Sequence, residues 1–175
     1  MKIVLIEPLS VDPVVIERLS HPWREAGHSF TAYDTRANDP AELRRRAGDA
    51  DIVLEGNQPL PPEMLRQLSA CRYLSVGFSG IDHVDAETAR QMGITVSNSA
   101  GYADDSVAEL ALGMMLGLLR NIGPADAACK AGRTKDGLVG RELRGKTVGI
   151  VGMGACGCRL AEILQVFGCR VIFYA

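Results

Sequence analysis

Short apolar strands alternate with helices along almost the whole chain, and this alternation predicts an α/β protein built on parallel sheets. Five strands and their connecting helices fit within residues 1–100, and a long apolar helix follows at residues 104–120. A strand, a glycine-rich turn, a helix and a second strand then fill residues 145–175. These observations predict a flavodoxin-like, doubly wound parallel sheet followed by the first βαβ unit of a Rossmann domain. The sequence does not fix the strand order, but the flavodoxin-like order suits a domain of this length.

The five strands of the first domain are predicted from short runs of apolar and β-branched side chains. They cover residues 2–7, 28–33, 51–55, 72–76 and 94–97. The helices between them begin at capping or proline residues and end at glycines. The start signals are Asp12-Pro13, Asp39 with Glu42, Pro61-Pro62 and Asp85, and the stop signals include Gly27, Gly48 and Gly93. Because a helix follows each of the first four strands, we expect the strands to be parallel.

Polar residues mark the start of the long apolar helix. Asp104, Asp105 and Ser106 are predicted to cap it, with acidic charge at the positive end of the helix dipole. The apolar run behind them, residues 107–119, is shorter than the roughly 20 residues that a membrane span needs, so it predicts a buried helix. The helix should stop at Arg120, Asn121, Gly123 and Pro124.

Three glycines directly follow an apolar strand at residues 148–151. In a dinucleotide site, Gly152 makes the tight turn, Gly154 lets the backbone approach the pyrophosphate, and Gly157 lets the new helix pack close to the strand. Free N–H groups and the dipole at the helix start favour the phosphates. The candidate cofactor-binding residues are Gly152, Met153, Gly154, Ala155, Cys156 and Gly157. A purely structural turn is the alternative explanation of the same glycines.

The segment after these glycines supports the nucleotide-binding interpretation. Apolar residues recur at helical spacing up to Gly168, a left-handed helix stop, and residues 171–174 are predicted to form a second strand. A Rossmann domain needs about six strands, whereas two follow Gly145. We therefore expect an incomplete nucleotide-binding domain within a chain that is part of a longer protein.

Composition indicates an ordinary globular protein, with 47% hydrophobic and 23% charged residues. A net charge of −2 gives no electrostatic reason to expect nucleic acid or an anionic membrane as a partner. The five cysteines show neither a disulfide framework nor a C-x-x-C pair, so we expect reduced thiols, a cytoplasmic location and no metal site.

Three segments together resemble the D-isomer-specific 2-hydroxyacid dehydrogenase family. The first is YLSVGFSGIDHVD at residues 73–85, and the second runs from GITVSN at 93–98 to SVAEL at 106–110. The third begins with ELRGKT at 142–147 and continues to Tyr174. The resemblance covers nearly the whole chain and keeps the order and separation of the motifs, so it is more specific than the glycines alone.

The resemblance implies a substrate domain at residues 1–100 and a linker helix with a nucleotide-binding domain at residues 101–175. The implied reaction is reversible hydride transfer between a nicotinamide dinucleotide and a small 2-hydroxy or 2-oxo acid. The backbone N–H groups of Val76, Gly77 and Phe78, just beyond the fourth strand, would bind the substrate carboxylate as an anion nest. Without the resemblance, Gly77 and Gly80 are ordinary turn glycines.

Two further residues are candidates for binding. Asn57, in the loop after the third strand, is a candidate polar contact to the substrate, although loop asparagines commonly serve turns. Ser106 is first of all an N-cap, and the resemblance adds a contact near the nicotinamide-side phosphate.

No catalytic residue is expected in this chain, because the family's catalytic Arg, its acidic partner and its His lie downstream. The histidines stand at positions 21, 28 and 83, and none matches the acid–base His. We expect a structural role for His83, since its side chain diverges from that of the adjacent Asp82. Asp85 is expected to cap a helix rather than to act as a base.

The last residue departs from the family pattern. Ala175 stands where an acidic residue usually accepts hydrogen bonds from the adenosine ribose, so NAD is expected but NADP stays open. The leading hypothesis is thus the N-terminal part of an oxidoreductase, inactive as this fragment. A dinucleotide-responsive regulatory or protein-binding module without turnover is the alternative, and a homodimer is expected from the resemblance alone.

Overall fold

The computed structural model describes residues 1–174, so Ala175 and the cofactor preference expected from it lie outside the described residues. The chain divides into two compact units, Met1–Ala100 and Gly101–Ala175.

A five-stranded parallel sheet forms the centre of the first unit. Its strands are β1 (Lys2–Leu5), β2 (Ser29–Ala32), β3 (Ile52–Glu55), β4 (Tyr73–Val76) and β5 (Thr95–Ser97). The strand order is β2-β1-β3-β4-β5, with every neighbouring pair parallel. This is the flavodoxin-like order, so the predicted fold of the first unit is confirmed.

The helices of the first unit begin largely where capping signals predict. They are α1 (Pro13–Glu25), α2 (Pro40–Ala47), α3 (Pro62–Leu65) and α4 (Ala86–Gln91). The Asp12 side chain accepts a hydrogen bond from the Val14 N–H at 2.9 Å, and Asp39 accepts one from the Glu42 N–H at 2.8 Å. The capping box is incomplete, because the Glu42 carboxylate accepts from the Asn38 N–H instead of returning to Asp39.

The main core cluster of the first unit lies on one face of the sheet. Val4, Val53 and Leu74 are register partners on β1, β3 and β4, and all three are fully buried. They pack in one cluster with residues of α2, α3 and α4, including Leu43 and Leu65. Alternation along each strand therefore decides which side chains enter the core.

The second unit contains three helices and a two-stranded parallel sheet. They are α5 (Asp104–Leu119), α6 (Ile122–Lys130), β6 (Thr147–Val151), α7 (Ala155–Val166) and β7 (Arg170–Tyr174). Its small core contains Leu143, Ile150, Ala161 and Leu164. The predicted βαβ unit is therefore confirmed.

The prediction that the long apolar helix is buried is wrong. Ala108 is the one buried residue of α5. One side of the helix packs on the small core through Leu112, Met115, Leu116 and Leu119. Val107, Leu110, Met114 and Leu118 are exposed. A two-stranded sheet offers too little apolar surface to cover a helix that is apolar on every side.

The residues predicted to end the apolar helix also begin a new one. Asn121 takes a left-handed conformation with φ of 53°, and α6 starts at the next residue. Gly123 and Pro124 lie in the first turn of α6, where proline is tolerated because its missing N–H would have no partner there. The residues that were predicted to end the helix therefore mark a bend between two helices.

Within residues 1–174, no single helix has the length and apolar composition of a membrane span. The bent pair α5 and α6, with a 60° angle at the break, passes the same test by length and composition alone.

Replacing Leu74 by alanine should lower the free energy of unfolding by about 3 kcal/mol, because Leu74 is fully buried between the sheet and its helices. Leu19→Ala is the matched control, since Leu19 is 59% exposed on α1, and it should change the value by less than about 0.5 kcal/mol. Urea denaturation measures both. Equal effects of the two variants would contradict the assigned core.

Candidate functional site

The first unit has a topological switch point between β1 and β3, where the chain connections run to opposite sides of the sheet. In open α/β sheets, ligands bind beyond the carboxyl ends of the strands at such a point. A substrate site is therefore expected among the segments that follow β1, β3 and β4.

The Glu7 carboxylate organises the turn after β3. Its Oε1 atom accepts hydrogen bonds from the N–H groups of Gly56, Asn57 and Gln58, at 2.8, 2.7 and 2.7 Å. Its Oε2 atom accepts one from Arg36 Nε at 2.7 Å. Burial by itself raises the pKa of Glu7, but these three N–H groups and the Arg36 charge outweigh it and lower the pKa below its ordinary value. Glu7 is thus an ionised carboxylate that fixes the turn.

The side chain of Asn57 lies exposed on this turn, and its Oδ1 atom accepts a hydrogen bond from Arg36 Nη2. Gln58, the next residue, is buried, and its Nε2 group donates to the Ala37 carbonyl oxygen at 3.1 Å. Asn57 is therefore the residue of this turn that presents a polar side chain outward.

A second buried carboxylate, Glu55, ends β3 and contacts His83. Glu55 Oε1 and His83 Nε2 are 2.7 Å apart, and Glu55 is only 1% exposed. Burial, together with the negative charge of Glu7, raises the pKa of Glu55 to about 8. The partner of His83 is therefore Glu55, not the adjacent Asp82.

The sequence predicts no cluster of Glu7, Glu55 and His83, although it contains one signal for it. Glu55 is two residues after Val53, so the period of a strand places both on the core face. A charged residue at such a position must lose its charge or find a partner. Nothing in the sequence, however, indicated that Glu7 or His83 lies nearby.

The loop after β4 departs from the predicted anion nest in one respect. The Gly77 N–H donates to the Glu55 carbonyl oxygen at 2.7 Å, so it is already used within the protein. Val76 is the last residue of β4, and its side chain is buried. The prediction of Gly77 as a free donor is wrong, because the ladder between β3 and β4 continues one residue beyond the strand.

The next three residues present the N–H groups that such a nest requires. The Phe78 carbonyl oxygen accepts from the Ser99 N–H at 3.0 Å, and the Ser79 carbonyl oxygen accepts from the Asn98 side chain at 2.6 Å. Within residues 1–174, the N–H groups of Phe78, Ser79 and Gly80 have no hydrogen-bond acceptor, and all three residues are exposed. The loop is thus held by its carbonyl groups while its N–H groups stay available.

In the second unit, two of the three motif glycines are required by the fold itself. Gly152 has φ of 92°, a region that strongly favours glycine, and its N–H donates to the Tyr174 carbonyl oxygen at 2.8 Å. A Cβ atom on Gly157 would lie 2.2 Å from the Gly152 carbonyl oxygen. The roles predicted for these two glycines, a tight turn and a close helix–strand contact, are what the structure shows.

Gly154 is different, because the fold does not require it to be glycine. It is the N-cap of α7, with φ of −72° and an extended ψ, which any residue adopts. A Cβ atom there would meet no atom of residues 1–174 within 4 Å. The first N–H groups of α7 have no partner inside the helix, whose first turn closes with the Cys158 N–H on the Gly154 carbonyl oxygen at 2.9 Å. This open helix start fits a pyrophosphate.

The other predicted cofactor residues surround this helix start. Ala155 and Cys156 begin α7, and Met153 packs against the small core of the second unit. The Cys156 thiol donates to Asp104 Oδ1 at 3.4 Å, and this hydrogen bond raises the pKa of Cys156. The thiol therefore stays protonated and is a poor nucleophile.

Ser106 does not cap α5. The N-cap position belongs to Ala103, without a side-chain hydrogen bond, and Ser106 is the third residue of the helix, exposed to solvent. The acidic residues Asp104 and Asp105 do lie in the first turn, as predicted. A charge–dipole interaction therefore replaces the expected hydroxyl cap.

Fold and site together define a class of protein: an α/β protein that carries a dinucleotide-binding βαβ unit. Residues 112–175 match the family described as D-isomer specific 2-hydroxyacid dehydrogenase, NAD binding domain. The hydroxypyruvate reductase of Blautia hydrogenotrophica is 30% identical over an alignment 186 residues long, which covers 99% of this chain and 56% of that protein. This chain belongs to the D-isomer-specific 2-hydroxyacid dehydrogenase family, and its nucleotide-binding region is of the NAD-binding type.

Solved structures agree with this assignment. An NAD-dependent formate dehydrogenase from Staphylococcus aureus in complex with NAD superposes with a TM-score of 0.85 and 27% identity, covering 99% of this chain and 56% of that one. An acyclic imino acid reductase in complex with NADPH and D-Arg gives a TM-score of 0.86 and 28% identity, covering 99% and 55%. The chain spans about half the length of these relatives.

The buried Glu55 should make stability depend on pH. Its pKa is raised from 4.5 to about 8 in the folded state. Protonation of Glu55 therefore stabilises the folded state fully below pH 4.5, and this stabilisation is lost as the pH rises to 8. We expect the free energy of unfolding to fall by up to about 1.4 kcal/mol per pH unit across that window. Glu55→Gln should abolish this slope, as measured by urea denaturation at several pH values.

The matched control is Glu25→Gln, because Glu25 also faces a histidine, His21, at 3.4 Å but on the exposed surface of α1. This variant should keep the wild-type slope. A wild-type slope in Glu55→Gln would show that the buried carboxyl is ionised throughout the window.

Proposed function

We propose that this chain supplies the substrate-binding and cofactor-binding parts of an oxidoreductase that transfers a hydride between NAD and C2 of a small 2-hydroxy or 2-oxo acid. The observation that carries the proposal is the start of α7, where Gly154 leaves open space in front of N–H groups without helical partners. Membership of the dehydrogenase family supports it independently.

The residues at the start of α7 would hold the cofactor. The N–H groups of Ala155, Cys156 and Gly157 would donate to the pyrophosphate, and the absence of a side chain on Gly154 would let it approach. When bound, the nicotinamide ring supplies or accepts the hydride. Ser106, exposed near the start of α5, remains a proposed contact to the nicotinamide-side phosphate.

The loop after β4 would bind the carboxylate of the acid. The N–H groups of Phe78, Ser79 and Gly80 would replace the predicted set of Val76, Gly77 and Phe78. Asn57 would contribute a side-chain contact, since it is exposed on the turn that Glu7 fixes. Backbone N–H groups recognise the carboxylate and ignore the rest of the acid, so they select the substrate class and not one member of it.

None of the three histidines is a candidate for the acid–base step. His21 faces Glu25 on the surface, His28 contacts the N-terminal amino group, and His83 is bonded to the buried Glu55. We propose that residues 1–175 bind both reactants but need residues outside this sequence for turnover. We also propose a homodimer, which the exposed apolar side of α5 supports.

Replacing Gly154 by alanine should weaken NADH binding more than about tenfold, because a methyl group would enter the space of the pyrophosphate. The same change should lower the melting temperature only slightly, since the new Cβ meets no atom of residues 1–174 and the loss is the modest preference of an N-cap for glycine over alanine. NADH fluorescence and thermal denaturation measure the two effects.

Two other glycines serve as controls for this experiment. Gly113→Ala places a methyl group in open space on α5, so it should leave NADH binding unchanged and raise stability by up to about 1 kcal/mol, because alanine has the higher helix propensity. Gly157→Ala should lower stability because of the 2.2 Å approach to the Gly152 carbonyl. Unchanged NADH binding by folded Gly154→Ala would contradict the cofactor site.

Turnover tests the proposed reaction. The chain alone should bind NADH without oxidising it in the presence of hydroxypyruvate. Fusion to the portion of the Blautia hydrogenotrophica relative that lies outside the matched region should produce hydroxypyruvate-dependent NADH oxidation, followed by absorbance. The same fusion with Gly154→Ala is the control and should be slower at limiting NADH.

A fusion protein that folds and binds NADH, yet reduces none of a panel of 2-oxo acids, would contradict the enzyme function. NADH-dependent assembly of that fusion, seen by light scattering, would then favour a regulatory module.

A further inference from the structure

We propose that Glu55 and His83 are positioning residues, whose hydrogen bond holds the loop after β4 in the conformation that presents its N–H groups to an anion. The substrate role in this inference rests on the proposed function, whereas the holding of the loop does not. Neither residue is expected to touch the reacting atoms.

Glu55 anchors both ends of the loop at residues 77–83. Its main-chain oxygen accepts from the Gly77 N–H at 2.7 Å, where the loop begins. Its side-chain Oε1 atom is 2.7 Å from His83 Nε2, where the loop ends. One residue at the end of β3 therefore fixes the span of a loop that contains Phe78, Ser79 and Gly80.

His83 is fixed through its backbone as well. Its carbonyl oxygen accepts from the Leu60 N–H at 2.7 Å, and Val84 forms a bridge with Leu60. These contacts join the loop after β4 to the turn after β3, the same turn that Glu7 holds. Release of the His83 ring from Glu55 would thus leave the end of the loop tied by main-chain contacts alone.

The charges around Glu55 explain why the contact depends on a proton. The groups that face it are Glu7 after β1, Arg36 after β2 and His83 after β4. Glu7 is ionised and bonded to Arg36, so this cation is already paired. Glu55 Oε2 is buried and has no hydrogen-bond partner within residues 1–174. A second negative charge here would lack compensation.

A proton on Glu55 avoids that second charge. The protonated carboxyl is neutral, and its Oε1 atom donates to His83 Nε2. When the proton leaves to solvent, Glu55 becomes a buried carboxylate beside Glu7. Opening of the loop then admits water to Glu55 and relieves this cost.

Amide hydrogen exchange on the 175-residue chain tests the inference without any ligand. The Ser99 N–H bonds to the Phe78 carbonyl and the Leu60 N–H bonds to the His83 carbonyl, so both report whether the loop is docked. Because the pKa of Glu55 is about 8, protection factors of these two amides should fall about tenfold from pH 7 to pH 9.

Variants separate this mechanism from general instability at alkaline pH. Glu55→Gln stays neutral and should keep Ser99 and Leu60 protected at both pH values, whereas His83→Ala should lower their protection even at pH 7. His21→Gln is the matched control, because its histidine also faces a glutamate but lies on the surface, and it should behave as wild type. Wild-type protection that is independent of pH, or an equal fall in Glu55→Gln, would overturn the inference.

Glyoxylate serves as the probe for the substrate role. It should shift the Phe78 amide resonance at pH 7 in wild type and bind more weakly at pH 9 in proportion to the fraction of open loop, while Glu55→Gln should bind equally at both values. Absence of any shift at pH 7, with the expected fall in protection, would contradict the proposed function and the substrate role. A normal shift with pH-independent protection would overturn the inference alone.

Discussion

The hydrogen bonds of the Glu7 carboxylate hold together the part of the first sheet where its topology changes direction. One oxygen satisfies three successive N–H groups after β3, and the other bonds to Arg36. A buried turn with three unsatisfied N–H groups would cost several kcal/mol, so this single ionised side chain makes the turn possible. Burial is the main cause of the raised pKa of Glu55, and the negative charge of Glu7 raises it further.

The presence or absence of an acceptor within the protein distinguishes structural from functional N–H groups. At Gly56 to Gln58 and at Gly77, the protein provides its own acceptors. At Phe78 to Gly80 and at the first turn of α7, it leaves donors exposed next to backbone that is otherwise well fixed. Rigid loops with available donors are suited to anions, and both ligands of the proposed reaction present anionic groups, a carboxylate and a pyrophosphate.

Local patterns were sufficient for much of the fold. Short runs of apolar and β-branched residues located β1 to β5, whereas the core row of Val4, Val53 and Leu74 became visible only in the structure. Predictions failed where a signal had two structural meanings. Pro124 ends a helix or begins one, and Ser106 caps a helix or lies in its first turn, so neither position was determined by residue type alone.

The sequence by itself determined the order of strands and helices except for α6, the position of the glycine turn and the identity of the glycines at 152 and 157, since these depend on neighbours in the chain. The tertiary structure decided which donors are available and which carboxyls are ionised. Glu7 and Glu55 are far apart in sequence and meet only because β1 and β3 pair in parallel. Their pKa values and the bond to His83 arise from that pairing, which no local pattern contains.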